Sequence, residues 1–104
     1  MLVATVEYVA GRDVVETIGI CRGNVIRAKH VGTDFVASLR NLVGGEMTEY
    51  SKLMAEAREQ AYDRMVRHAE ELGADAIIGM RFTTSTITPG AAEILAFGTA
   101  VKLA

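Results

Sequence analysis

The chain has no tryptophan, six aromatic residues in all, a single cysteine and no excess of positive charge. Each shortage closes a route. One cysteine cannot make an internal disulfide, so a stapled secreted module is excluded and a reducing, cytoplasmic setting is expected. A formal charge of −2 on 104 residues gives no footprint for nucleic acid or for an anionic membrane surface. The opening stretch MLVATVEYVAGRD lacks a basic n-region and is interrupted by Glu7, so it reads as neither signal peptide nor membrane span. Also missing are a linker, an internal repeat, a nucleophile elbow, a phosphate-loop spacing and a dinucleotide fingerprint. The carboxylate pair Glu70–Glu71 reads as a solvated helix end, not as an acid/base couple.

What remains is aliphatic. Half of the residues are apolar, mostly Ala, Val, Ile, Leu and Met. A chain of this length is one domain, 1–104, near the size at which partners often supply stability. So apolar a small domain favours self-association over a free monomer.

The periodicities predict an α+β fold. LVATVEYV (2–9) is a short β-branched strand and AGRD is a turn. VVETIGICRGNVIRAK (14–29) reads as two strands, or as one long bent strand turning at Arg22-Gly23-Asn24. Asp34 caps a short helix over 35–43. In RNLVGGEMTEY, Gly44 has the place of a left-handed C′ residue, and Gly45 turns the chain into the next helix. A phosphate cradle is the sharper reading of those glycines, but Glu46 and Glu49 stand in the turn. The corner is the better fit.

The long helix, about 49–72, is closed by Gly73 and is about 36 Å in length. Lys52, Glu56, Glu59, Asp63, Arg67 and Glu70 form its polar arc. Its apolar side is wide: Tyr50, Leu53, Met54, Ala57, Ala61, Met65 and Leu72 make one stripe, and Ala55, Tyr62, Val66 and Ala69 a second. A two-layer subunit buries one helix face, so the second stripe asks for another copy. ADAIIGMRFTTS (74–85) and EILAFGTAVKL (93–103) form an antiparallel hairpin through a polar loop containing Thr86, Thr88, Pro89 and Gly90. In the last strand Leu95, Phe97, Val101 and Leu103 are read as core-facing. Ala96, Gly98 and Ala100 are read as a small outer face open to close approach.

Three polar residues are candidate ligand-binding groups: Arg58 at the junction of the stripes, His68 near the axis of the first, and Arg81 in the hairpin. Their structural alternatives are an ion pair or snorkelling stem for Arg58, a hydrogen-bonded core histidine for His68, and a pair with Glu93 for Arg81. Candidate metal ligands are Cys21, His30 and His68, though soft metals usually want closely spaced donor pairs that this chain lacks. Met54 and Met65 lie on the core stripe, where packing is their commoner use. No catalytic residue is assigned and no cofactor is named.

LRNLVGGEMTEY, EAREQA, ELGADAIIGMRF and FGTAVKL together resemble the YbjQ-like family of uncharacterised proteins, from about Val14 to Lys102. Members often carry a heavy-metal-binding label. The resemblance implies a two-layer subunit, an antiparallel sheet with a short and a long helix packed on it, assembled as a homopentameric ring. It brings no catalytic apparatus. The expected function is therefore a homo-oligomeric binding or scaffold protein, with a small ligand or metal as cargo and no nucleic-acid or membrane partner. The alternative is a small enzyme whose site forms between subunits.

Overall fold

The computed structural model describes residues 1–28 and 48–104. His30, the expected helix 35–43 and the Gly44–Gly45 corner lie outside the described residues. Within them the chain is α+β: β1 (Leu2–Val3), β2 (Val14–Ala28), helix α1 (Thr48–Glu71), β3 (Ala76–Thr88) and β4 (Ala91–Leu103). The strands form one sheet in the order β1-β3-β4-β2.

The sheet is mixed, which corrects the expected antiparallel one. β1 pairs parallel with β3, through Leu2↔Ala76 and Val3↔Ile77. The other two pairings are antiparallel. Only two residues of the predicted strand 2–9 are strand. Beyond them the chain pairs with an irregularity in β3, and Arg12 N–H closes a turn on the Val9 carbonyl at 3.1 Å. β2 is one continuous strand through Arg22-Gly23-Asn24, not two, because Arg22, Gly23 and Asn24 all keep partners in β4 (Phe97, Ala96 and Leu95). The hairpin is antiparallel as expected, but its loop is shorter. Thr86 and Thr88, expected in the loop, belong to β3 and pair with Ala92 and Ala91, which leaves Pro89 and Gly90 as the turn. Proline's fixed φ and Gly90 at φ 85° suit the two central positions of a type II turn.

α1 stops where its sequence says it should. Gly73 is left-handed, at φ 79°. Its N–H donates to the Glu70 carbonyl and the Ala74 N–H to that of Ala69, both at 3.0 Å, the two bonds of a Schellman cap. The helix lies on the face of the sheet that carries Cys21, Val25, Ile77, Met80, Ile94, Ala96 and Ala100. With Ala57, Ala61, Met65 and Ala69 of α1 these form the main core. A smaller cluster, Val9, Ala76, Val101 and Leu103, packs separately, with Ile78 against it.

This arrangement reverses one reading of β4. The small residues Ala96, Gly98 and Ala100 are buried beneath the chain's own helix, so they are not an outer face for a neighbour. Leu95 and Phe97 are half-buried, and strand alternation puts them on the opposite face, which carries no helix among the described residues. The helix stripes shift as well. Ala69, assigned to the outer stripe, is fully buried, while Leu72, assigned to the core, is 38% exposed. Tyr62 and Val66 pack against the same core. The reason is Gly23: a Cβ there would strike the Met65 nitrogen and the Ala61 oxygen of the helix backbone. With no side chain beneath it and alanines along its ridge, α1 sinks onto β2 and buries a wider arc than one stripe.

Candidate functional site

The polar side chains that meet the fold most closely gather along the seam between α1 and β2. Cys21 is fully buried there, paired in register with Gly98. Its thiol donates toward the Gly98 carbonyl at 3.6 Å. Burial pushes the thiol above its ordinary value of 9.0, and backbone contacts at Cys21 and Gly98 only partly offset this. A metal ligand or nucleophile needs the thiolate, which this position disfavours.

His68 is half-buried, and its Nδ1 accepts a hydrogen bond from the Arg22 N–H at 3.0 Å. That bond places the proton of the neutral ring on Nε2. Coordination through Nε2 would require a proton on Nδ1, facing another N–H, and coordination through Nδ1 would displace Arg22. The hydrogen-bonded histidine is the role observed.

Beside it, Arg64 Nη1 donates to the Asn24 carbonyl at 2.7 Å, and Arg27 Nη2 to Gln60 Oε1 at 2.6 Å. Neither Arg64 nor this seam was singled out from the sequence. Four-residue spacing from His68 was the available signal, and it acquires meaning only beside a strand edge.

The three candidate ligand-binding groups do not converge within one subunit. Arg58 is exposed on α1, ten residues and about 15 Å of helix from His68. Arg81 donates through Nη1 to the Thr5 and Met80 carbonyls, each at 2.8 Å. Glu93, its expected partner, instead accepts from Asn24 Nδ2 at 3.2 Å. Register separates the two: Arg81 stands opposite Phe97, and Glu93 opposite Ser85, four residues further along the strand. β3 also carries a bulge. Between Ile78↔Thr99 and Arg81↔Phe97, β3 advances three residues while β4 advances two, and the extra residue inverts the alternation. Arg81 therefore shares its face with Ile78 and Phe97, where unbroken alternation would have put it with Ile77.

No group of three or more His, Cys, Asp or Glu stands close enough to hold a metal ion among the described residues. With the Cys21 thiol buried and protonated and His68 Nδ1 occupied, the described donors do not fit a resident metal. A recess of about 140 Å³, lined by Arg27, Leu53, Met54, Thr86, Ala91 and Ala92 among others, is smaller than the roughly 300 Å³ at which ordinary ligand sites begin. No helix among the described residues is long and apolar enough to cross a membrane.

A long helix sunk on the edge of a four-stranded mixed sheet, with a fully buried thiol and no convergent catalytic set among the described residues, defines a small α+β subunit. The chain belongs to the YbjQ-like family, whose model carries the description "Putative heavy-metal-binding" and matches residues 1–104. A UPF0145 protein of Methanosarcina acetivorans is 54% identical over 103 residues, covering 99% of this chain and 97% of its own. One from Halorubrum lacusprofundi is 55% identical, at 99% of each chain. The fold is similar to a crystal structure of a DUF74-family protein of unknown function from Pediococcus pentosaceus. That match has a TM-score of 0.64 and 17% identity, and covers 100% of this chain and 98% of the other.

Proposed function

We propose that this chain is a self-assembling binding or scaffold subunit, closed as a ring of five, with the sheet face opposite α1 buried between copies. The observation that carries the reading is on β2 and β4. Ile20 is 70% exposed and Ile26 59%, and register puts both beside Thr99, Leu95, Phe97 and Glu93 on that face. Full burial of each isoleucine contributes about 1.5–3 kcal/mol, which a subunit interface would recover. The ring of five rests on the family resemblance. A small ligand or a metal would then be held between copies, where symmetry multiplies a single donor. Such a protein works in a reducing, cytoplasmic setting, consistent with its one free thiol.

Native mass spectrometry of the freshly purified protein tests both parts, since it reads subunit number and bound mass together. The ring gives a mass near 56 kDa, five copies of 11.2 kDa. A mass of one copy sinks self-assembly, and a dimer retains the interface but removes the ring.

A further inference from the structure

Among the described residues β2 is the outermost strand on its side of the sheet. In an antiparallel ladder every second residue turns both its N–H and its C=O away from the neighbouring strand. Arg22 and Asn24 are such residues, and side chains of α1 meet them: His68 Nδ1 takes the Arg22 N–H at 3.0 Å, and Arg64 takes the Asn24 carbonyl at 2.7 Å. His68 and Arg64 are one helical turn apart, on a helix that runs antiparallel to β2. Four helical residues rise about 6 Å and two strand residues about 6.7 Å, so one turn of helix matches one repeat of the strand edge. Gly23, between the two anchor points, has no Cβ to hold the helix away. A side chain as short as histidine can then reach the backbone. Arg27 and Gln60, joined at 2.6 Å, continue the match toward the other end of the helix.

We infer that His68 and Arg64 form a clasp that closes the centre of the β2 edge to strand addition, with Gly23 as its spacer. An added strand would need the Arg22 N–H and the Asn24 carbonyl for its own ladder, and both are taken. The partner kept out is an extended segment of a second copy, the chain at highest local concentration during folding and assembly. The role requires an acceptor at the position of Nδ1, not an imidazole as such. Asparagine places its Oδ1 there, whereas leucine supplies bulk without an acceptor.

Amide hydrogen exchange on the full chain provides the test. His68→Leu should speed exchange of the Arg22 amide roughly fivefold, the worth of one net hydrogen bond, while His68→Asn keeps the wild-type rate. A double variant, His68→Leu with Arg64→Leu, should add sheet-rich association beyond the wild-type mass, read by light scattering and amyloid-dye fluorescence. The clasp is overturned by an unchanged Arg22 rate in His68→Leu, or by His68→Asn exchanging as fast as His68→Leu. A uniform rise at buried β4 amides such as Val101 also counts against it, because that reports lost global stability. A double variant with no added association overturns the guarding role.

Discussion

At Gly23 a single missing Cβ sets the distance between helix and sheet. Gly23→Ala would drive a methyl into the α1 backbone, which cannot yield as a flexible side chain can. The expected cost is roughly 2 kcal/mol or more, seen as a lower urea midpoint at unchanged m-value. A neutral result would mean that α1 is free to ride higher on β2. Cys21 shows how burial alone decides chemistry. Because desolvation raises the folded thiol above its ordinary 9.0, the unfolded chain releases its proton first as pH rises. The thiol's contribution to stability is complete below about pH 9 and falls as pH climbs from there through the folded value. Urea melts between pH 8 and pH 11 should show this decline in the wild type and a weaker one in Cys21→Ala. Equal slopes would place the thiol in contact with water.

Among the elements, β3 is the one whose pattern misleads. ADAIIGMRF alternates as a plain strand, yet the bulge at Gly79–Met80 puts two residues opposite Gly98. Gly79 is left-handed at φ 61°. It donates to the Val6 carbonyl at 2.9 Å, and Met80 to that of Ala4 at 3.0 Å, so the irregularity docks the N-terminal segment. Met80 turns into the core and Arg81 to the other side. Gly79→Ala should cost about 1 kcal/mol from left-handed strain, its Cβ otherwise meeting only Glu7 Cγ at 3.9 Å. A thermal melt unchanged within error would show that the backbone had relaxed to negative φ. Four glycines thus divide by role: Gly73 and Gly90 end elements, Gly79 redirects one, and Gly23 makes room.

At the scale of the molecule, long strands produce an extended, thin unit. The described fold measures 54 × 24 × 15 Å with a radius of gyration of 17.2 Å, against about 13 Å for a compact chain of this size. Among the described residues, so thin a body leaves apolar side chains such as Ile20 and Ile26 exposed on one sheet face, which is the physical case for the proposed assembly. A test of the proposed assembly belongs there and not on α1. Val66→Asp would strike the subunit's own core and confuse unfolding with dissociation. Ile20→Asp, on a residue 70% exposed, should lower the assembled mass toward 11.2 kDa with little loss of helix by circular dichroism. Glu59→Ala, on the exposed polar arc, should leave the mass unchanged. A full-mass Ile20→Asp assembly would move the interface elsewhere.

Local chemistry was legible in the sequence wherever a single segment decides the outcome. The helix and its stop at Gly73, the antiparallel hairpin and the polar arc of α1 all follow from periodicity and backbone preference. Alternation in β4 separated two faces but could not say which would receive the helix, because small residues suit a close helix as well as a close neighbour. Only the packed structure chose, by sinking α1 onto Gly23. The roles of His68 and Arg81 were equally open, since the Arg22 N–H lies 46 residues from His68 and the Thr5 carbonyl 76 from Arg81. Which backbone group a side chain meets depends on register and helix height, and one bulge residue is enough to change it.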